Sequence, residues 1–173
     1  MLGPKTRFHA FERHWPIGTR ERLAFTILLY TGLRRGDAAI VGRQHVSDGV
    51  ILMRAEKTGA QLTIPILPEL ARVIEATKTG DLTFVATPSG GPMRKESFGN
   101  WFGEACRAAK VPGSAHGLRK AGAARAASNG ATVAQLNAIF GWSDSQMASL
   151  YTKSADRVRL AKEAIDKLSK HEK

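Results

Sequence analysis

The 173-residue chain contains a single cysteine, Cys106. No intramolecular disulfide can form, and a zinc site built on two or more cysteines is excluded. Long apolar runs are lacking too: no stretch of about 18 uninterrupted apolar residues is present to span a bilayer. The start, Met1 to Arg20, is polar and has no apolar segment of the secretory kind. These absences predict a soluble protein of a reducing cytoplasm with no membrane partner. Acidic residues are scarce, 15 against 26 Lys and Arg, which leaves a formal charge of +11 and a sequence pI of about 10.3. Such an excess favours a polyanionic partner, nucleic acid first. Ribosomal proteins, DNA enzymes and membrane-surface proteins share that balance, so charge alone does not choose among them.

At 43% hydrophobic, the chain is long enough for one well-buried domain and short for two. Residues 1–16 show no clear periodicity and read as a linker or docking arm, with Phe8, Phe11 and Trp15 as an apolar strap. From Thr19, the positions Leu23, Ile27, Leu28 and Tyr30 predict a helix that Gly32 ends. A short helix follows from about Asp37. Gly49–Met53 and Gln61–Ile66 flank Lys57-Thr58-Gly59-Ala60 and predict a hairpin with Lys57 at or near its tip. Pro68 suits the first position of a helix carrying Leu70, Val73 and Ile74, and Leu82–Val85 reads as a short buried strand.

Phe98, Trp101, Phe102, Ala105, Cys106 and Ala109 give the strongest helical spacing in the chain, and their aromatics read as core. His116–Ser128 is an alanine-rich helix ended by Asn129-Gly130. Thr132 with Gln135, and Ser143 with Gln146, have capping-box spacing and open two short helices. A last helix over about Asp156–Leu168 puts Val158, Ala161, Ile165 and Leu168 on one face. The layout is α+β, mainly α-helical with one small antiparallel β-sheet.

Breaking a phosphodiester needs a nucleophile, donors for the charge on the nonbridging oxygens, and a proton for the departing alkoxide. Arginine suits the second task because its planar fork stays charged and donates bidentate bonds. Arg34 follows Gly32, with Asp37 three residues on, close enough to orient its guanidinium. His116 and Arg119 are i, i+3 on one helix face. Taken singly, an Arg–Asp pair is ordinary surface decoration, and Trp142 and Tyr151 are ordinary core aromatics. Lys57 is by itself an exposed turn residue. Tyr30, within an apolar helix, is a poor nucleophile.

Taken in order, Thr31-Gly32-Leu33-Arg34, a hairpin lysine, His116-x-x-Arg119, Gly141-Trp142 and Tyr151 nine residues later resemble the tyrosine recombinases, the phage integrase family. The resemblance runs from about Thr19 to Lys173 and covers the family's catalytic domain. It implies the mainly helical catalytic-domain fold and an enzyme that cuts and rejoins double-stranded DNA through a 3′-phosphotyrosyl link, with no metal, ATP or other cofactor. Tyr151 is then the nucleophile, Arg34 and Arg119 bind the scissile phosphate, and His116 assists proton transfer. Trp142 takes a place held by His or Trp, and Lys57 is the general acid, with Arg54 and Lys78 as competitors for that role. Asp37 stands where Glu is more frequent, and Lys120 where His is frequent.

The resemblance also implies an integrase of mobile DNA, bacterial or phage-derived and cytoplasmic, monomeric in solution and tetrameric on DNA. Residues 17–173 are expected to form the catalytic domain, with the family's N-terminal DNA-binding domain absent and recombination by this chain alone feeble. The tail beyond Tyr151 is expected to pack either on its own domain or on a neighbouring subunit. Two alternatives remain: a type IB topoisomerase-like enzyme and a non-catalytic DNA-binding protein.

Overall fold

The computed structural model of the protein describes residues 4–166 and residue 168. The first residues of the expected arm and the last of the expected domain lie outside them. Helix α1 (Pro4–His14) leads into α2 (Arg20–Thr31) and the short α3 (Arg35–Ile40). A three-stranded antiparallel sheet follows, β1 (Val46–Ser47), β2 (Val50–Arg54) and β3 (Gln61–Pro65), in the order β1-β2-β3. Then come α4 (Pro68–Ala76), α5 (Lys95–Ala108), α6 (Ala115–Ser128), α7 (Val133–Phe140) and α8 (Ser145–Asp166). The fold is mainly helical with one small sheet, as the residue pattern predicts.

Residues 4–14 form a helix where an irregular arm was expected. Phe8, Phe11 and Trp15 stand at i, i+3 and i+7, a spacing that makes one helical stripe. Phe11 is buried and stacks on Phe25 with centroids 4.8 Å apart, a burial that contributes about 1.5–3 kcal/mol. Trp15 Nε1 donates to the Ala105 carbonyl at 3.0 Å, and Arg22 reaches the Glu12 carboxylate and carbonyl oxygens, each at 3.0 Å. The strap therefore docks on α2 and α5 through a helix.

Thr19 caps α2 by accepting the Arg22 N–H, and α2 forms the axis of the main core with Leu23, Ile27 and Leu28 fully enclosed. Small residues let α6 approach it closely: a methyl group at Gly122 would come 2.8 Å from the Leu29 carbonyl oxygen. In the sheet, Ile51 pairs with Ile64 and Met53 with Leu62. These four side chains point inward while Leu52 and Thr63 face out, the alternation a one-sided sheet requires. Pro68 occupies the start of α4, as expected.

Three expectations are corrected. Leu82–Val85 is no strand; Leu82 is exposed, while Thr83 to Val85 are buried by irregular chain held by single bonds such as Phe84 N–H to the Val41 carbonyl. Burial there comes from tertiary contact, and no ladder partner runs beside it. The helix expected to open at Ser143 opens at Ser145, because Asp144 Oδ1 accepts the Gln146 N–H at 2.7 Å. That helix also does not stop near Tyr151: α8 runs unbroken for 22 residues, since nothing between Tyr151 and Asp156 breaks a helix. Its outer part leaves Val158, Leu160 and Ile165 exposed, as is Leu168 beyond it. Among the described residues no helix is long and apolar enough to cross a membrane.

Candidate active site

Arg34 owes its position to the end of α2. Thr31 Oγ1 accepts the Leu33 N–H at 3.1 Å, and Gly32 takes a left-handed φ of 63° that only glycine adopts at low cost. A methyl group at Gly32 would also run into the Phe140 ring. The chain thus turns sharply, and Arg34, half-buried, stands at the N-cap of α3.

Arg119 comes from the opposite wall. Ser114 caps α6 through the Gly117 N–H at 3.0 Å, and the second turn carries Arg119 inward to 7% exposure. Its Nη1 donates to the Gly32 carbonyl and its Nη2 to the Phe140 carbonyl at 2.6 Å. The side chain therefore ties the ends of α2 and α7 together, and both accepting carbonyls lack helical partners. Among the described residues its three other N–H bonds find no hydrogen-bond acceptor.

Tyr151 lies in α8 and stacks on Trp142 at 5.8 Å with the rings 3° from parallel; Trp142 in turn stacks on Phe140 at 4.8 Å. The Arg119 guanidinium carbon sits 5.1 Å from the Phe140 ring and 5.5 Å from the Trp142 ring, within cation–π range. The ladder fixes the phenol beside a buried cation. Lys57 arrives from the sheet, exposed in the turn between β2 and β3 that the Ala55 N–H to Ala60 carbonyl bond closes at 2.9 Å.

Arg34, Lys57, His116, Arg119, Trp142 and Tyr151 all line one open hollow of about 410 Å³. The six residues singled out from sequence come together. Neither Arg54 nor Lys78 lines it, which separates them from Lys57. Two more cations join the lining, Lys120, noted above as standing where His is frequent, and Arg35, which was not singled out; among the described residues no carboxylate does. The signal for Arg35 was adjacency: it directly follows a candidate arginine. A wall with five Lys and Arg side chains and no acid is built for an anion. Among the described residues no three His, Cys, Asp or Glu side chains gather as a metal site.

Burial and the neighbouring Arg34 pull the Arg119 pKa down to about 10, against the upward pull of Asp37 and Tyr151. Arg119 stays protonated at neutral pH. Burial pushes the Tyr151 phenol above its ordinary value, more than the Arg119 charge pulls it back.

Asp37 requires a correction. Its buried carboxylate makes no hydrogen bond or ion pair to Arg34; Oδ1 accepts the Glu56 backbone N–H at 2.8 Å. The three-residue spacing to Arg34 spans the start of α3, where Asp37 turns inward and Arg34 outward. The partner lies 19 residues away, beyond any local sequence signal.

The profile of the phage integrase family matches residues 6–157 and so includes most of α1. The fold is similar to that of XerA recombinase, with a TM-score of 0.76 at 16% identity over 94% of this chain and 62% of that one. It is also similar to the Tn1549 transposon integrase in complex with a circular intermediate DNA, with a TM-score of 0.73 at 20% identity over 93% and 65% of the two chains. A λ integrase dimer bound to a COC′ core site gives 0.70 at 20% identity over 84% and 56%. The chain spans less than two thirds of each of these solved relatives. No curated protein sequence matches. With the profile covering most of its length and the fold agreeing, the chain belongs to the phage integrase family of tyrosine recombinases.

Proposed function

We propose that the protein is the catalytic domain of a site-specific recombinase that cuts and rejoins double-stranded DNA. The observation that carries this reading is the meeting of Arg34, Arg119 and Tyr151, from three separate elements, around one acid-free hollow. Arg34 and Arg119 hold the nonbridging oxygens of the scissile phosphate. The Tyr151 oxygen attacks phosphorus, forming a 3′-phosphotyrosyl bond as the bond to the 5′-oxygen breaks. His116 takes the phenolic proton, and the Lys57 ammonium gives one to the leaving oxygen. Trp142 cannot accept a proton; it packs against the phenol ring and has one N–H to donate.

The unbound phenol is protonated, with burial holding its pKa up. Phosphate bound between the arginines leaves it next to reactive phosphorus and a proton acceptor. The ester keeps the energy of the broken bond, so a second 5′-hydroxyl reseals the strand and no ATP, metal or other cofactor enters. Residues 17–173 act as the catalytic domain with α1 docked against them, and copies assemble as a tetramer on DNA from monomers in solution. Cytoplasmic DNA of a phage or other mobile element is the substrate this reading favours. Phosphate neutralisation by Lys and Arg makes binding fall steeply with salt.

A nicked duplex whose freed strand diffuses away traps the intermediate. Covalent protein–DNA adduct with the unaltered chain, and none with Tyr151→Phe, is the expected result. DNA binding without adduct from either protein contradicts it in favour of a binding module, and supercoil relaxation without strand exchange favours a topoisomerase.

A further inference from the structure

Lys57 is exposed in a turn whose own backbone bonds, Ala55 N–H to the Ala60 carbonyl at 2.9 Å and Gly59 N–H to the Ala55 carbonyl at 2.8 Å, close the loop but do not tie it to the helices beside it. Its predecessor, Glu56, is fastened at both ends. The Glu56 backbone N–H donates to the Asp37 carboxylate at 2.8 Å, and that acceptor is 1% exposed and rooted in α3. The Glu56 side chain accepts from Lys95 Nζ at 2.5 Å, and Lys95 opens α5. Its other oxygen, Oε2, lies against Gly36, where any Cβ would overlap it. Gly36 needs no unusual backbone angle; its missing side chain makes room for the carboxylate.

An isolated exposed ion pair contributes little, and Glu56 and Lys95 are each about half exposed. The arrangement differs from such a pair because the main chain of the same residue is pinned by a buried acceptor. Side chain and backbone together fix Glu56 against α3 and α5, so the next residue leaves from a set place. Arg34, Arg35 and Lys57 line both this recess and the phosphate hollow, which makes the two contiguous.

We propose that Glu56, clamped by Lys95 and seated against Gly36, is a positioning residue that holds Lys57 within reach of the leaving 5′-oxygen. The inference rests on the reading of Lys57 as general acid. Glu56 touches no reacting atom. It accepts from the Lys95 ammonium and so leaves the Lys57 ammonium free to donate. General acid catalysis contributes roughly 10²–10⁴-fold, and a displacement near 1 Å removes a large part of such an effect. Loss of the clamp therefore costs about tenfold in the step that Lys57 assists.

The test compares two pools of nicked duplex, randomised around the scissile phosphate, with either oxygen or sulfur at the bridging 5′ position. A sulfur leaving group departs without a proton, so general acid catalysis drops out of its rate. Lys57→Ala sets the reference: slow on the oxygen pool and near the unaltered rate on the sulfur pool. Glu56→Gln, Lys95→Met and Gly36→Ala should each slow adduct formation on the oxygen pool by about tenfold and leave the sulfur pool unchanged. Lys95→Arg should retain most of the rate. Exchanging the charges, Glu56→Lys with Lys95→Glu, should recover part of it.

Unaltered rates on both pools, or equal slowing on both, overturn the inference while leaving the general acid in place. Failure of sulfur to rescue Lys57→Ala overturns the reading of Lys57 and the inference with it. No adduct from any protein on either pool removes the enzymatic reading itself.

Discussion

The described residues form two apolar cores of unequal size, and the hollow draws on both. The larger gathers α1 to α5, the sheet and the first turns of α6, with Phe11, Phe25, Phe98 and Phe102 among its rings. The smaller gathers the end of α6 with α7 and α8; its buried members are Leu136, Phe140 and three alanines, Ala123, Ala127 and Ala148. Arg34 and Lys57 stand on elements of the large core, while Trp142 and Tyr151 pack on the small one. The wall that carries Arg34 and Lys57 thus rests on much buried area and Tyr151 on little. Arg119 belongs to the seam, with one hydrogen bond to the end of α2 and one to the end of α7.

The sharpest way to break this comparison is to remove the two arginines in turn. Arg34→Ala and Arg119→Ala should each slow adduct formation by roughly a hundredfold or more, the loss typical of a missing donor to developing oxyanion charge. Their stabilities should part company. Arg119→Ala orphans two carbonyls and should cost about 1–3 kcal/mol for each one left buried, whereas half-exposed Arg34 should cost little. Urea unfolding checks this, and equal destabilisation by both variants would remove Arg119 from the seam.

A smaller effect separates the cores themselves. Leu136→Ala truncates a fully enclosed leucine of the small core and should cost about 2–5 kcal/mol. Amide exchange in α7 and α8 should then quicken well before exchange in α2. Simultaneous loss of protection in both would show that the two cores open as one unit.

The smallest effect concerns Cys106 in the large core. Burial holds its thiol up at about 11, against the weaker pull of Arg107. The raised value favours the neutral thiol, so its stabilising contribution is complete below the ordinary thiol pKa of about 9 and is lost as pH rises through about 11. At pH 8 iodoacetamide should label Cys106 only after denaturant is added. Rapid labelling of the folded protein would mean that the large core opens readily.

Much of this was legible because it is local. Thr19 and Gly32 bound α2 through a hydroxyl cap and a left-handed residue, and the Thr132–Gln135 capping box opens α7 as its spacing predicts. The candidate residues were legible as an ordered set, although no single motif among them is specific. Features built on distant contact were not. Strand β1 is two residues long and exists because β2 lies beside it. The Leu82–Val85 run is apolar because the core covers it, and apolar runs alone do not separate strand from buried irregular chain. Asp37 bonds across to Glu56, so spacing to Arg34 pointed to the wrong partner. Asp144, not Ser143, caps α8, and both residue types serve equally well there.

The central claim is that Arg34 and Arg119 meet at one phosphorus with the Tyr151 oxygen in line. Vanadate adopts the five-coordinate geometry of that state, so a crystal structure of the protein with nicked duplex and vanadate tests it directly. The expected result has Tyr151 at one apex, the 5′-oxygen at the other, and both guanidinium groups donating to equatorial oxygens. Vanadate bound with either arginine turned away, or with Tyr151 outside bonding distance, would contradict the account.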